Sequence, residues 1–102
     1  MKRVDTFRGG VAYVTGGSSG IGKALAEELL SRGATTVLIS RGAERLEQAR
    51  SELAARLASG RRDRVPGGVM PPVEAEVGDV ADSGSIEAAF QRAASRVGPP
   101  TI

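Results

Sequence analysis

The sequence predicts an α/β fold in which a doubly wound parallel sheet is truncated after its third strand–helix unit. Three observations support this prediction. Short apolar runs of strand length alternate with longer segments whose apolar residues recur at helical spacing. The second of these runs is rich in β-branched residues, as in strands buried on both faces. A glycine-rich turn joins the first strand to the first helix. With 102 residues, we expect residues 1–102 to form one partial domain.

The first strand–helix unit is predicted to begin with a strand over Val11–Thr15. The helix after it is expected to run from about Ser19 to Arg32, because apolar residues recur every four positions, at Ile21, Leu25 and Leu29. Gly33 stands where a left-handed residue would end this helix.

The second unit consists of an apolar strand over Thr36–Ser40 and a helix over about Ala43–Ala58. The helix has one apolar face, with charged residues over most of the remainder, and that face contains Leu46, Ala49, Leu53 and Leu57. The stretch Ser59–Pro72 combines glycines, prolines and arginines, and it is predicted to be a loop that is long for this kind of connection.

The third unit is predicted to have a strand over Val73–Val77 and a helix that begins with Asp82 or Ser83 as its N-cap. Gly98 and the prolines after it end this helix. Thr101–Ile102 are expected to be the first residues of a fourth strand.

Alternating strands and helices imply parallel strands, since each helix returns the chain to the same end of the sheet. Right-handed crossovers place the first two helices on one face and build the strands in the order 3-2-1. In a doubly wound, Rossmann-type fold the third helix crosses to the opposite face. The next strand would then lie beside strand one, at the switch point where ligands bind in such folds.

Composition excludes several classes of chemistry. The chain has no cysteine and no histidine, which excludes disulfides, thiolate metal sites and catalytic triads that depend on histidine. We therefore expect no metal site. An aromatic content of 3% argues against a stacking platform for nucleic acid. No apolar run approaches the roughly 20 residues of a membrane span, and the first ten residues lack the apolar core of a secretory signal. These features predict a cytoplasmic location.

The glycine-rich turn, Thr15–Gly22, is the strongest functional signal, because backbone N–H groups at the start of a helix bind phosphate. Its spacing favours a dinucleotide site. Gly16 would permit the tight turn, Gly20 would let the backbone approach a pyrophosphate, and Gly22 would let the helix pack closely on the sheet.

Three other interpretations of the glycine-rich turn are a P-loop, a hydrolase nucleophile turn and a turn without a ligand. A P-loop requires Ser or Thr after the lysine to bind Mg²⁺, but Ala24 follows Lys23. Gly16, Ser18 and Gly20 match the pattern of a hydrolase nucleophile turn, yet the chain has no histidine to complete a triad. A glycine-rich turn that binds nothing is the third alternative, and the sequence leaves it open.

Thr15–Gly22 resembles the cofactor signature of the short-chain dehydrogenase/reductase family. Gly78-Asp79-Val80 after the third strand and Gly98-Pro99 before a fourth are also similar to this family. The resemblance covers nearly the whole chain. It implies a nicotinamide cofactor, and the turn residues expected to contact it are Gly16, Ser18, Ser19, Gly20, Ile21 and Gly22.

The residues after the second strand favour NADP over NAD. NAD sites place a carboxylate there for the ribose 2′-hydroxyl, whereas this chain has Ser40-Arg41 and no carboxylate before Glu44. A guanidinium binds a 2′-phosphate in bidentate fashion, so Arg41 is expected to hold it, with Arg45 adding a second contact. Solvated surface charge is the alternative for both arginines.

After the third strand, Asp79 is expected to accept a hydrogen bond from the adenine amino group, and Val80 to pack on the ring. A turn or capping role is the alternative for Asp79.

The glycine turn, Ser40-Arg41 and the segment Arg45–Ala49 are together similar to 3-ketodihydrosphingosine reductases. This resemblance implies reduction of the keto group of a sphingoid-base precursor by NADPH, at the cytosolic face of the endoplasmic reticulum in eukaryotes. It also implies that catalysis uses Asn-Ala-Gly, then a serine, then Tyr-x-x-x-Lys, all after a fourth strand, where the lysine lowers the tyrosine pKa. Neither Asn-Ala-Gly nor Tyr-x-x-x-Lys occurs in the sequence, whose single tyrosine, Tyr13, is followed four residues later by Gly17.

We therefore expect no catalytic residue within this chain. Two functions remain open: the cofactor-binding portion of an NADPH-dependent reductase of ketones, or an inactive product that only binds nucleotide or dimerises, for example as a homo-oligomer.

Overall fold

The computed structural model describes residues 9–18, 20–60 and 72–102, with backbone alone for 57–60. Its element order is β1 (Val11–Thr15), α1 (Gly20–Ser31), β2 (Thr35–Ser40), α2 (Ala43–Gly60), β3 (Val73–Val77) and α3 (Ser83–Val97). These bounds agree with the predicted ones within two residues. Helix α2 extends into the predicted loop, while Ser19 and the remainder of that loop, residues 61–71, lie outside the described residues.

The three described strands form one parallel sheet in the order β1-β2-β3, which confirms the predicted order 3-2-1. Strand β2 is central. It pairs with β1 from Val11↔Thr35 onwards and with β3 from Thr36↔Val73 onwards. The carboxyl ends of the three strands therefore meet at one edge, so that the turns after them are neighbours.

The alternation of side chains along β2 divides the core into two layers, as the doubly wound fold requires. Leu38 packs with the buried residues of α1 and α2 on one face, including Leu30, Leu46 and Leu53. Val37 and Ile39 pack on the opposite face against α3, with Ala89, Ala93, Tyr13 and Phe90. Full burial of a leucine-sized side chain stabilises a fold by about 1.5–3 kcal/mol, so both helix layers contribute strongly.

The predicted apolar stripe of α1 is only partly correct. The buried residues of this helix are Ala26, Leu29 and Leu30, at spacings of three and four. Ile21 is 90% exposed and Leu25 is 50% exposed. The helix thus rests on the sheet through a face rotated from the predicted one. Leu25 instead lines an open cleft beside β1 together with Ile102.

Local sequence accounts for the helix ends. Gly33 adopts φ +94°, and the N–H groups of Gly33 and Ala34 donate to the carbonyls of Leu30 and Leu29, both at 3.0 Å. This is a Schellman ending, and it confirms the predicted left-handed cap. Asp82 is the N-cap of α3, because its side chain accepts from the N–H groups of Gly84 and Ser85.

Thr101–Ile102 lie beside β1, as predicted, but they do not form a strand there. The N–H groups of both residues donate to the Val11 carbonyl, at 2.8 and 3.3 Å. The Val11 N–H donates to the Thr101 hydroxyl oxygen at 2.9 Å. A side chain thus occupies the donor that a strand ladder would use, which explains the difference.

The outer edge of β3 is covered by two arginines of α3. Arg92 Nη2 donates to the Val77 carbonyl at 2.9 Å, and Arg96 Nη2 approaches the Ala75 carbonyl at 3.5 Å. Both arginines also pair with carboxylates of the strand: Arg92 with Glu76, and Arg96 with Glu74 and Glu76. Charged groups on an edge strand oppose pairing with another strand.

Among the described helices, none combines the length and apolar character needed to cross a bilayer.

Candidate cofactor site

The glycine turn between β1 and α1 depends on backbone conformations that favour glycine. Gly16 adopts φ +73° and Gly20 adopts φ +59°. The Gly16 N–H donates to the Ile39 carbonyl at 2.7 Å, which ties the start of the turn to β2. A tight turn directly before a helix N-terminus is the geometry that presents N–H groups to an anion.

Gly22 is required by a close approach within the turn itself. A Cβ atom added there would lie 2.2 Å from the Gly16 carbonyl oxygen and 2.8 Å from its carbon. The sequence predicted that Gly22 allows close packing of the helix on the sheet. The structure shows instead that Gly22 accommodates the backbone of the turn, because Gly16 and Gly17 lie against it.

The other predicted turn residues occupy different positions. Ser18 lies at the end of the described turn, and its hydroxyl is 3.2 Å from that of Ser40. Gly20 and Ile21 open α1 and are exposed. Ser19 lies outside the described residues.

Two clefts share the carboxyl end of β2. We define the strand-end cleft, about 370 Å³, by its lining residues Gly16, Ile39, Ser40, Arg41, Gly78, Asp79, Val80 and Ala81. We define the arginine cleft, about 390 Å³, by its lining residues Ser18, Ser40, Arg41, Gly42, Ala43, Glu44 and Arg45. The structure therefore gathers most of the predicted contacts into one continuous region, whereas Gly20, Ile21 and Gly22 line neither cleft.

Arg41 and Arg45 differ from the other cations of the described residues in having no carboxylate partner there. Each of the others forms an ion pair with glutamate, namely Lys23, Arg32, Arg50, Arg56, Arg92 and Arg96. Both exceptions are exposed, and both line the arginine cleft. Two guanidinium groups at the start of a helix that form no ion pair with a described carboxylate make a site suited to an anion.

Asp79 combines a turn role with its place in the strand-end cleft. One carboxylate oxygen accepts from the Ala81 N–H at 3.0 Å, and its backbone N–H donates to the Ser85 hydroxyl oxygen at 3.0 Å. The turn alternative is thus part of the structure, whereas the N-cap of α3 is Asp82. Val80, beside it, is 70% exposed.

The turn containing Asp79 is held close to α3 at Gly78. A Cβ atom there would lie 3.0 Å from the Ala89 Cβ and 3.1 Å from the Ile39 Cγ2. This tight packing fixes the position of the cleft wall.

Tyr13 has a structural role in the described region. Its hydroxyl donates to the Gly98 carbonyl at 2.7 Å, and its ring meets Phe90 edge to face at a centroid distance of 5.2 Å. Partial burial raises the pKa of the Tyr13 phenol. Tyr13 is therefore a packed side chain of β1.

Lys23 lies in the first turn of α1 and pairs with Glu52 of α2. The hydrogen bond from Lys23 lowers the pKa of the Glu52 carboxyl. Lys23 is therefore engaged in joining two helices.

Sequence reasoning missed two features. Glu44 lines the same cleft as both unpaired arginines, and its position three residues after Arg41 was the available signal. An apolar cleft of about 570 Å³ also lies between β1 and α3, lined by residues that include Tyr13, Val80, Ile86, Phe90 and Pro100. Ile86 and Phe90 recur at helical spacing in the sequence, and this spacing carries no signal of a cleft.

Comparison with known proteins adds a family context to this geometry. The family model described as short chain dehydrogenase matches residues 10–100. Over 50 residues the chain is 52% identical to a very-long-chain 3-oxoacyl-CoA reductase from Bos taurus, an alignment covering 49% of this chain and 16% of that protein. Over 53 residues it is 47% identical to a 3-ketodihydrosphingosine reductase from Cryptococcus neoformans. That alignment covers 52% of this chain and 16% of the reductase.

Solved structures show the same fold. L-sorbose reductase from Gluconobacter frateurii, in complex with NADPH and L-sorbose, superposes with a TM-score of 0.74 at 31% identity. That superposition covers 91% of this chain and 31% of the reductase. The chain thus spans about a third of the length of this structure, and its alignments span about a sixth of the curated relatives above.

Proposed function

The chain belongs to the short-chain dehydrogenase/reductase family, and from that premise we propose that it forms the cofactor-binding part of an NADPH-dependent reductase. The bound nicotinamide would supply a hydride to a carbonyl carbon. The residues described here would bind and orient the cofactor.

One observation carries the choice of NADPH over NADH. Arg41 and Arg45 have no carboxylate partner among the described residues, and they share a cleft at the carboxyl end of β2. The cofactors differ at this end only by the 2′-phosphate on the adenosine ribose. Two guanidinium groups near a helix N-terminus stabilise such a phosphate by charge-assisted hydrogen bonds.

We propose the following roles for the remaining predicted contacts. The turn from Gly16 to Gly22, with Ser18, Ser19, Gly20 and Ile21, would hold the pyrophosphate against the α1 N-terminus. Asp79 and Val80 would contact the adenine in the strand-end cleft, which adjoins the arginine cleft through Ser40 and Arg41. The exposed apolar surface of Val80 gives the adenine ring a packing surface.

The test is the substitution Arg41→Ala, with binding of NADPH and NADH followed by cofactor fluorescence. Loss of a charge-assisted contact predicts at least about a tenfold rise in the NADPH Kd and little change for NADH. Arg50→Ala is the matched control, because Arg50 lies further along α2 and pairs with Glu47. Equal binding of both cofactors by the unsubstituted protein, or no effect of Arg41→Ala, would refute the role of Arg41.

For the substrate, we propose a 3-keto group on a long aliphatic chain, such as a keto sphingoid base. The support is the similarity to the 3-ketodihydrosphingosine and very-long-chain 3-oxoacyl-CoA reductases. Such a lipid substrate is the reason for proposing the cytosolic face of the endoplasmic reticulum as the site of action. NADPH oxidation with 3-ketodihydrosphingosine, compared with a short-chain ketone, tests the substrate, and membrane fractionation tests the location.

We also propose that the 102-residue chain by itself does not reduce a ketone, since Tyr-x-x-x-Lys does not occur in it. A positioned proton donor contributes about 10²–10⁴ in rate. Turnover of NADPH and a ketone by the purified chain would contradict this proposal.

The alternative function is a nucleotide-binding or dimerising module. The apolar cleft between β1 and α3 favours self-association, because exposed apolar surface of this kind is typical of interaction sites. The mass of the native protein distinguishes the two functions. A stable species of 10.5 kDa supports the module, and a longer protein with Tyr-x-x-x-Lys supports the reductase.

A further inference from the structure

Glu44 is a carboxylate in the cleft that contains Arg41 and Arg45. It lies in the first turn of α2, it is exposed, and no described cation forms an ion pair with it. The other described glutamates of α1, α2 and β3 do pair with arginine or lysine, namely Glu27, Glu28, Glu47, Glu52, Glu74 and Glu76. The Glu44 carboxylate therefore lines the arginine cleft without forming an ion pair with a described cation.

We propose that Glu44 is a specificity-determining residue that weakens binding of a 2′-phosphorylated cofactor and so limits the preference for NADPH over NADH. This inference rests on the proposed function, because it assumes that the 2′-phosphate enters the arginine cleft. A carboxylate repels a phosphate dianion, whereas it does not repel the neutral ribose 2′-hydroxyl of NADH.

The balance of charges determines the direction of the preference. Arg41, Arg45 and the α2 N-terminus attract the phosphate, and Glu44, the one carboxylate among the residues that line the arginine cleft, opposes them, so net selection of NADPH remains. Repulsion between a carboxylate and a dianion about 6–8 Å apart in water corresponds to about a threefold to tenfold loss of affinity at low salt. Salt screens charges in an open cleft, so the effect should decrease as ionic strength rises.

The substitution Glu44→Gln removes the charge and keeps the side-chain size. At low salt we expect the NADPH Kd to fall by about threefold to tenfold, with the NADH Kd changing less than about twofold. At high salt the gain for NADPH should largely disappear. An unchanged ratio of the two Kd values, or weaker NADPH binding, would overturn the role of Glu44.

Two further variants serve as controls. Glu87→Gln removes the same charge from α3, where Glu87 is exposed, lies outside the arginine cleft and has no ion pair with a described cation. It should leave both Kd values unchanged, and an equal gain for NADPH would overturn the inference by showing a net-charge effect. Glu44→Asp keeps the charge. Its ratio of the NADH Kd to the NADPH Kd should therefore stay closer to that of the unsubstituted protein than the ratio for Glu44→Gln does.

Arg41→Ala, measured alongside, separates this inference from the proposed function. If Arg41→Ala removes the NADPH preference and Glu44→Gln leaves it unchanged, only the role of Glu44 fails. If the unsubstituted protein binds neither cofactor, both proposals fail.

Discussion

The hydroxyl oxygens of Ser18 and Ser40 lie 3.2 Å apart, and this hydrogen bond joins the glycine turn to the carboxyl end of β2. The two residues are 22 positions apart in sequence. A second link, from the Gly16 N–H to the Ile39 carbonyl, runs in parallel. The turn is therefore anchored to the strand whose end carries Arg41.

The Ser18–Ser40 bond predicts coupling between the two positions. A double-mutant cycle with Ser18→Ala and Ser40→Ala should give a coupling free energy of about 0.5–1.5 kcal/mol in urea unfolding. Ser31→Ala is the control, because the Ser31 hydroxyl donates only within α1. Strictly additive effects at Ser18 and Ser40 would show that the contact contributes nothing to stability.

Gly22→Ala should destabilise the turn, since the new Cβ would lie 2.2 Å from the Gly16 carbonyl oxygen. Backbone atoms must move to relieve this overlap, and overpacking of this kind costs about 1–3 kcal/mol. The measurement is the free energy of unfolding, together with NADPH affinity. Gly84→Ala is the matched control, because its Cβ would meet only an Asp82 carboxylate oxygen at 3.5 Å. Equal stability of the two variants would contradict the prediction.

Tyr13→Phe removes the hydrogen bond to the Gly98 carbonyl and should cost about 1 kcal/mol at neutral pH. Burial raises the pKa of the Tyr13 phenol above its ordinary value of 10.0, so the folded protein holds this proton more tightly than the unfolded chain. That contribution is fully present below the unfolded pKa and is lost as pH rises through the folded pKa.

The stability difference between the original protein and Tyr13→Phe should therefore shrink above about pH 10. Urea unfolding of both proteins at a series of alkaline pH values measures this difference. A difference that stays constant throughout this range would count against the assigned burial of the phenol.

Replacing Arg92 and Arg96 by serine should expose the edge of β3 to pairing with another strand. We expect increased self-association, measured by sedimentation velocity as a function of protein concentration. Arg32→Ser is the control, because Arg32 forms its ion pair with Glu28 within α1 and the turn after it. A double variant that sediments like the original protein would show that the arginines do not protect this edge.

The local sequence pattern was sufficient to predict most of the fold. The apolar run of β2 and the helical spacing of α3 define their elements, because each pattern reflects burial of a neighbouring face. The ends at Gly33 and Asp82 were equally predictable, since cap residues satisfy backbone groups within a few positions. The exposure of Ile21 and Leu25 was not predictable, because a repeat of four residues does not determine which part of an apolar face meets the sheet.

The candidate site likewise combines features that the sequence determined with features that only the tertiary structure decided. By itself, the sequence determined the glycine turn, the arginine after β2 and the aspartate after β3, because these depend on residue type and order along the chain. Only the tertiary structure decided that Gly22 faces the Gly16 carbonyl and that Ser18 reaches Ser40. It also placed Glu44 in the cleft of Arg41 and Arg45, the two cations without a described carboxylate partner. The physical reason is that ion pairing and close packing depend on distances between segments, which a parallel sheet sets when it brings the ends of its strands to one edge.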